Sequence, residues 1–382
     1  MKKYDYIIVG AGFAGSVVAQ KLSEKNYNIL VIDKRSHIGG NAYDYSEDGI
    51  LIHKYGPHIF HTNNKEVYDY LSNFTKWYQY EHKVVGHVND LVVPIPFNLE
   101  SIEKTYSESK ANELKKVLLS EYSEGSKVPI LELRKNSNPL VKELAEHVFE
   151  NVFKYYTMKQ WGLKAEEIDP NVTARVPVNV SYDDRYFNDS YQYMPLDGYT
   201  KIFENLLASN NIDIELNKDV KEVLKLVDNK IYYNNEEYLG KVVFTGEIDY
   251  LFDYSLGDLP YRSLDLELTK KAQTFQSYAT ENYPGPKEMF PFTRITEYKH
   301  FMPRKKDGVT YLHTEYPKAY NKETDVPYYP IFTNDNQNKY QNYVALANNY
   351  PNLYLLGRLA EYSYYNMDAI VLKALELADK IA

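Results

Sequence analysis

An α/β fold with a parallel sheet is predicted by three features that follow one another near the N terminus. Residues 6–9 (Tyr-Ile-Ile-Val) form a short apolar run rich in β-branched residues, the pattern of a buried parallel strand. Residues 16–25 read as a helix, and residues 28–32 form a second apolar run that ends at Asp33. Between the first run and the helix lie the glycines of a G-x-G-x-x-G motif, Gly10, Gly12 and Gly15. This order of elements predicts a Rossmann-like domain that binds a dinucleotide.

The glycines and the acid each have a physical role in such a site. The first glycine permits a tight turn, the second lets the backbone approach a pyrophosphate, and the third lets the helix pack on the strand. The N–H groups at the start of the helix favour the phosphate charge. Asp33 lies 18 residues after Gly15, near the spacing at which a carboxylate accepts hydrogen bonds from ribose hydroxyls. A purely structural turn is the alternative, and the complete context argues against it.

Composition limits the class of protein. A chain of 382 residues has room for two or three domains, and its formal net charge of −9 argues against a general nucleic-acid binder. The absence of cysteine excludes disulfides, cysteine-ligated metal and a cysteinyl flavin. No apolar run approaches the roughly 20 residues of a membrane span, so we expect a cytoplasmic protein. The 40 tyrosines suit nucleotide and sugar recognition, because they combine stacking area with a hydroxyl.

A second glycine pair decides which dinucleotide is expected. Gly39, Gly40 and Asn41 follow the acid, which resembles the extended FAD fingerprint of the flavoprotein class that includes amine oxidases and aromatic hydroxylases. Residues 241–249 read as a strand turning at Gly246, and residues 353–358 as a last strand. By this resemblance, a helix over residues 369–382 points its positive N terminus at the flavin.

The predicted architecture is an α/β, FAD-binding Rossmann-like domain with an inserted helical domain and an antiparallel sheet layer. The FAD-binding domain is expected to be discontinuous, over residues 1–80, 205–255 and 340–382. Residues 100–165 have helical spacing, and residues 100–195 are expected to form a mainly helical substrate domain with a mobile loop. The alternating segments of residues 81–99 and 256–339 predict the antiparallel sheet.

Several motifs outside the cofactor domain occur in the order of one family. They are residues 55–62 (YGPHIFHT), 156–161 (YTMKQW), 175–178 (RVPV), 291–294 (PFTR) with 297–301 (EYKHF), and 358–368. Together they resemble UDP-galactopyranose mutase over nearly the whole chain.

This resemblance implies an isomerase that interconverts UDP-galactopyranose and UDP-galactofuranose for cell-surface polysaccharide biosynthesis. The implied mechanism uses reduced FAD as a nucleophile, through a covalent flavin–sugar adduct and with no net redox change. An external reductant such as NAD(P)H would supply the reduced flavin, and the resemblance leaves room for a homodimer. An FAD-dependent oxidoreductase of the amine-oxidase type is the alternative function.

The resemblance also implies the site residues. Catalytic roles fall on Arg175, Arg294 and His58. The substrate-binding set adds Tyr156, Trp161, Tyr182, Tyr186, Glu315, Tyr328, Tyr364 and Asn366. The cofactor-binding set is Gly10, Gly12, Phe13, Ala14, Gly15, Asp33, Lys34, Gly40, Asn41, His58, Ile59, Val220, Arg358 and Met367.

Some of these roles make chemical sense without the family. Arg175 and Arg294 can each hold a diphosphate bidentately, because a planar guanidinium matches phosphate oxygens; a surface ion pair is the alternative. His58 and His61 lie three residues apart, but no carboxylate or third ligand accompanies them, so no metal site is predicted. By itself Trp161 reads as a core aromatic, and His61 as a structural histidine.

The chain departs from the family at two positions, and these departures bear on the substrate. Asn366 stands where members often have aspartate, and Ala360 where many have glycine. Asparagine still forms hydrogen bonds but supplies no charge. The sugar therefore stays open between galactose and a relative such as N-acetylgalactosamine.

Overall fold

The structure, a computed structural model, describes residues 3–162, 177–304 and 308–382. Its strands, in chain order, are β1 (Tyr6–Val9), β2 (Ile29–Asp33), β3 (Asp44–Glu47), β4 (Ile50–His53), β5 (Phe60–Thr62), β6 (Trp77–Gln79), β7 (Val84–Val88), β8 (Leu91–Ile95), β9 (Lys127–Pro129), β10 (Pro177–Asn179), β11 (Tyr191–Pro195), β12 (Ile212–Leu216), β13 (Leu224–Val227), β14 (Lys230–Tyr233), β15 (Glu236–Glu237), β16 (Lys241–Phe244), β17 (Tyr261–Lys271), β18 (Thr280–Asn282), β19 (Arg294–Glu297), β20 (Thr310–Ala319), β21 (Tyr329–Pro330) and β22 (Leu353–Leu355).

Helices occupy much of the remaining described chain. They are α1 (Phe13–Glu24), α2 (Lys65–Ser72), α3 (Leu99–Thr105), α4 (Glu108–Glu121), α5 (Ile130–Leu133), α6 (Pro139–Val148), α7 (Tyr155–Trp161), α8 (Tyr199–Leu206), α9 (Val220–Val223), α10 (Ile248–Leu251), α11 (Asn334–Ala347) and α12 (Met367–Ile381). A π-helical segment, Phe149–Lys154, joins α6 to α7. Over the described ranges, no helix combines the length and the apolar character needed to cross a membrane.

A five-stranded parallel sheet forms the cofactor domain, in the order β12-β2-β1-β16-β22. Both faces of its central strand are covered, which explains the continuous apolar run in the sequence. Ile8 packs in the core under α1 and α12, whereas Ile7 packs in a second core on the other face. The predicted α/β class with a Rossmann-like domain is confirmed.

The second large sheet has seven strands in the order β21-β17-β20-β19-β18-β7-β8. It is antiparallel except where β18 runs parallel to β7. Its long pair, β17 with β20, places Glu315 opposite Leu266. On the other side of β20, Arg294 of β19 lies directly opposite Glu315.

The helical layer is formed by α3 to α7. Its core includes Leu114, Leu118, Leu144 and Val148, packed together with Val93 of the seven-stranded sheet. The structure differs from the helical expectation for residues 100–195 at the far end of that range. There β11 pairs with β5 and β6, because the alternating residues of this segment suit a strand better than a helix.

The C-terminal helix α12 packs against α1. It begins at Met367, two residues before the predicted start, with Asn366 as its N-cap residue in extended conformation. The first turn of α12 therefore lies at the edge of a cavity at the carboxyl ends of the central strands, which is described below.

Candidate active site

A cavity of about 270 Å³ opens at the carboxyl ends of the central strands. Its walls come from the loop after β1, the loop after β2, the turn after β16 and the first turn of α12. The predicted cofactor residues that line it are Gly10, Gly12, Phe13, Ala14, Asp33, Lys34, Gly40, Asn41, His58, Val220, Arg358 and Met367. We call it the cofactor cavity.

Two predicted cofactor residues lie outside this lining. A Cβ atom at Gly15 would lie 2.0 Å from the carbonyl oxygen of Gly10, so this glycine serves the close packing of α1 on β1. Ile59 packs against the hydrophobic core instead. The lining also includes residues that the sequence analysis did not single out, among them Arg35, Glu247 and Tyr250.

The lining fits a ligand that carries a diphosphate. The backbones of Gly12 and Gly40 approach each other closely, since a Cβ atom on Gly40 would lie 2.9 Å from the Cα atom of Gly12, so this part of the wall is bare backbone. The Arg35 guanidinium donates 2.8 Å to Asn41 Oδ1, but its Nη1 is buried without a hydrogen-bond partner. Asp33 accepts from the backbone N–H of Ala11 and of Arg35, at 2.8 and 2.9 Å, which fixes its carboxylate at the cavity wall.

A second cavity, of about 200 Å³, lies beside helix α7. Three residues predicted to bind substrate line it: Tyr156, Trp161 and Tyr186. The other lining residues are Gly86, Ile95, Val152, Phe153, Thr157, Gln160, Asn282 and Pro284. Asn282 was not predicted, and its Oδ1 is buried without a hydrogen-bond partner. Because the sequence predicts substrate-binding roles for three of its residues, we call this the nucleotide cavity.

Arg294 lies between the two cavities and is paired with Glu315. Its Nε donates to Glu315 Oε1 at 2.6 Å, and Glu315 is only 1% exposed. Burial, the largest single effect, acts against the charge of Arg294, but Glu315, Tyr156 and Tyr329 together outweigh burial and hold the pKa of the guanidinium above its ordinary value. The positive charge of Arg294 lowers the pKa of Tyr156 and Tyr186, partly offsetting the rise that burial causes. Arg294 is therefore a permanent cation that lines neither cavity but whose charge reaches two tyrosines of the nucleotide cavity.

Tyr329, rather than the predicted Tyr328, shares the surroundings of Arg294. Burial raises the pKa of both tyrosines. At Tyr329 the positive charges of Arg294 and Arg358 oppose this rise, whereas at Tyr328 the charge of Arg35 opposes it. The Tyr329 ring is stacked on that of Tyr364, at 6.2 Å between centroids. The two tyrosines alternate along the chain and so face different neighbours. Sequence spacing alone does not reveal which one faces the arginine.

Arg358 connects this cluster to the cofactor cavity. Its guanidinium donates to the backbone carbonyls of Tyr328 and Tyr365, at 3.2 and 2.6 Å, and lies 4.8 Å from the Tyr364 ring. Asn366, predicted as a substrate residue, lines the cofactor cavity.

His58 is a neutral imidazole at the wall of the cofactor cavity. Its backbone N–H donates to His53 Nδ1, and its own Nδ1 is 2.9 Å from the carbonyl oxygen of Gly56. A carbonyl only accepts, so Nδ1 of His58 carries the hydrogen and Nε2 is left as an acceptor. Burial lowers the pKa of His58 to about 3, with smaller contributions from His53 and the nearby arginines.

One predicted substrate residue, Tyr182, lies away from this site. Tyr182 is 53% exposed and its hydroxyl donates to Glu103 of α3 at 2.6 Å, so it reaches neither cavity. Arg175 lies outside the described residues. His61 pairs with Asp189 at 2.8 Å and stacks on Phe187, a structural arrangement. Within the described part of the chain, no three His, Asp or Glu side chains form a group that could hold a metal ion.

These features define an enzyme class: a Rossmann-like dinucleotide-binding domain with a cofactor cavity, a second cavity lined by aromatic residues, and an arginine, Arg294, whose charge reaches residues of both cavities. The family model for NAD(P)-binding Rossmann-like domains matches residues 8–74, and the model for UDP-galactopyranose mutase matches residues 151–364. The chain therefore belongs to the UDP-galactopyranose mutase family, and it is a sugar mutase of the isomerase class.

Individual relatives agree with this assignment. The chain is 35% identical to a probable UDP-galactopyranose mutase of Klebsiella pneumoniae, covering 100% of this chain and 95% of the relative. It is also 35% identical to dTDP-fucopyranose mutase of Escherichia coli, covering 97% of each. The crystal structure of a reduced UDP-galactopyranose mutase has a TM-score of 0.71 at 16% identity, covering 100% of this chain and 94% of that one, which shows a common fold.

Proposed function

We propose that the protein interconverts UDP-galactopyranose and UDP-galactofuranose with FAD bound in the cofactor cavity. The position of Arg294 supports this most directly. Its charge acts on Tyr156 and Tyr186 of the nucleotide cavity and on His58 of the cofactor cavity. A diphosphate bound to Arg294 would therefore place a nucleoside in one cavity and a sugar beside the cofactor.

The residues that would hold FAD follow from the lining. Gly12 and Gly40 admit the pyrophosphate, the unpartnered Nη1 of Arg35 offers a donor, and the first turn of α12 faces the cavity with its positive end. When bound there and reduced by a donor such as NAD(P)H, FAD would supply a nucleophilic ring nitrogen, the chemistry of the predicted flavin–sugar adduct, and the isomerisation would involve no net redox change.

The chain's own residues bind and orient the substrate. Tyr156 and Trp161 offer stacking faces for the uracil, and Asn282 Oδ1 offers an acceptor for a base N–H. Arg294, with Arg175 by family resemblance, neutralises the charge that grows on the diphosphate as the anomeric bond breaks. The neutral His58 accepts a hydrogen bond at Nε2 and adds no charge beside the cofactor.

Glycine substitutions should separate cofactor binding from folding. In Gly12→Ala the new Cβ would lie 3.6 Å from Gly40 Cα, an ordinary contact, but it would occupy the approach of the pyrophosphate. We expect a folded protein whose affinity for FAD falls by about tenfold or more, or at least about 1.4 kcal/mol. Gly15→Ala would instead force a clash with Gly10 and should prevent folding. Flavin titration of the apoprotein and its melting temperature check both expectations; equal FAD affinity in Gly12→Ala would contradict them.

Turnover itself tests the proposed function. Purified protein is incubated with UDP-galactose or UDP-galactofuranose, with and without dithionite, and products are separated by chromatography. We expect interconversion only with reduced flavin, and NADPH consumption far below one molecule per product. Stoichiometric NADPH oxidation would favour the amine-oxidase type of oxidoreductase instead. A parallel reaction with dTDP-fucose tests the specificity, and preferential turnover of that sugar would replace the UDP-galactose assignment.

A further inference from the structure

Lys159 is a charged side chain inside the protein to which neither the proposed chemistry nor the cofactor assigns a role. It lies on α7, between Tyr156 and Trp161 of the nucleotide cavity. Its ammonium donates to three backbone carbonyls: Tyr283 at 2.7 Å, Phe290 at 3.0 Å and Phe292 at 2.8 Å. An ammonium has three donors, so these carbonyls satisfy all of them.

The three carbonyls belong to one loop, residues 283–293, which connects β18 to β19. Asn282 precedes the loop and lines the nucleotide cavity, and Arg294 follows it. The loop is closed at its base by the hydrogen bond from Tyr283 N–H to the Thr293 carbonyl, at 2.8 Å. Inside it, the Tyr283 ring packs edge-on against Phe290 and Phe292. The loop therefore wraps around the Lys159 ammonium, which donates hydrogen bonds to three of its carbonyl oxygens.

The C-terminal end of α7 is held independently by Arg262 of β17. Its Nε donates to the Gln160 carbonyl at 3.0 Å, and its Nη2 to the Lys159 carbonyl at 3.3 Å. Arg262 is only 8% exposed. Because Arg262 fixes the backbone of α7, the Lys159 side chain holds the loop at a defined distance from the helix.

We propose that Lys159 is a positioning residue: it fixes the loop between Asn282 and Arg294 against helix α7, and so sets the affinity for the nucleoside diphosphate. The inference rests on the proposed function, since it concerns the same nucleotide cavity. Without the ammonium, three inward-facing carbonyls would lose their donor, and the loop would relax away from α7. Arg294 would then move relative to the aromatic residues that contact the base.

The protonation state of Lys159 offers a readout that packing alone would not give. Burial lowers the pKa of Lys159 to about 8. Groups around it are Arg262, Tyr283 and the His87–Glu281 pair, in which the ring of His87 stacks on Tyr283. Burial raises the pKa of Tyr283 to about 12, so it stays protonated where Lys159 loses its charge. UDP affinity should therefore decrease as the pH rises through about 8.

The experiment measures the dissociation constant of UDP by calorimetry on the FAD-loaded protein. Lys159→Met is compared with wild type and with Lys104→Met, whose ammonium pairs with Glu100 at the surface. We expect Lys159→Met to bind UDP at least about tenfold more weakly with unchanged FAD content, Lys159→Arg to recover part of the loss, and Lys104→Met to match wild type. KM should rise more than kcat falls.

The pH series completes the test. Wild-type UDP affinity should weaken between about pH 7 and 9.5, whereas Lys159→Met should be flat over that range. An affinity in Lys159→Met equal to that of wild type, or a flat wild-type profile, would overturn the proposal. If Lys159→Met fails to fold, the wild-type profile alone decides. A wild-type protein that binds no UDP at any pH would instead refute the proposed function, and this inference with it.

Discussion

Replacing Arg294 with alanine is expected to lower kcat by about 10²–10³-fold, roughly 3–4 kcal/mol, because it removes a donor that meets charge growing in the transition state. The guanidinium is a permanent cation between the two cavities, and its effect is greatest where water is excluded. FAD content should stay near wild type, since Arg294 does not line the cofactor cavity. Lysine should restore turnover only in part, because it keeps the charge but loses the planar fork.

Glu315 complicates this substitution and supplies its control. Without Arg294 the nearly buried carboxylate has lost its cation, a change that typically destabilises a protein by about 3–5 kcal/mol. The double variant Arg294→Ala/Glu315→Gln should recover stability but not turnover. Arg134→Ala, which breaks a surface pair with Glu146, should leave both unchanged. Steady-state kinetics and melting curves of the four proteins make the comparison; near-wild-type turnover in Arg294→Ala would remove this residue from the diphosphate site.

Acid is expected to destabilise the protein steeply below about pH 6.5, because four neutral histidines are buried. Burial lowers the pKa of His53, His58 and His82 to about 3, and that of His313 to about 4. In the unfolded chain these rings bind protons at their ordinary pKa, so the unfolded state takes up more protons and stability falls as the pH falls.

Two buried carboxyl groups act in the opposite direction. Burial raises the pKa of Asp249 to about 6 and raises that of Asp44, so the folded state binds extra protons there. The net difference is roughly two to three protons, a slope of about 3–4 kcal/mol per pH unit. Between about pH 6 and 4.5 the free energy of unfolding should therefore fall by about 5 kcal/mol.

Denaturant titrations at several pH values measure this slope. His313→Gln removes one buried imidazole and should flatten the slope by about one proton, or about 1.4 kcal/mol per pH unit. The variant keeps a polar group near Tyr298, whose hydroxyl lies 2.7 Å from His313 Nδ1. Constant stability of the wild type down to about pH 4.5 would show that the buried rings take up protons in the folded state.

The cofactor cavity was largely predictable because its determinants are local in sequence. Gly10, Gly12 and Asp33 all lie within the first strand–turn–helix–strand unit, whose backbone path follows from the glycine motif. The same reasoning gave the Rossmann-like class and the strand that turns at Gly246. The predicted start of α12 differs from the observed start by two residues, because helix ends depend on capping interactions that hydrophobic patterns locate poorly.

The nucleotide cavity was harder because distant segments build it. Asn282 carries no motif, and its place in the cavity follows only from the pairing of β18 with β7. Tyr328 and Tyr329 are identical neighbours, and only the register of β21 on β17 decides which one faces Arg294. Tyr182 reads as a binding aromatic, yet the position of α3 turns its hydroxyl towards a surface carboxylate. In each case the position of the side chain depends on tertiary contacts, which a local sequence pattern does not predict.

The order of strands in the central sheet has a consequence for synthesis in the cell. Strand β1 begins at Tyr6, but its neighbour β16 begins at Lys241 and the edge strand β22 at Leu353. Ribosomes release the chain from its N terminus, so β1 and β2 must wait for most of the polypeptide before their sheet can close. Arg358 and Met367 of the cofactor cavity emerge later still. The complete cofactor cavity can therefore form only late in synthesis, and nascent chains would expose the apolar β1–β2 unit to chaperones until then.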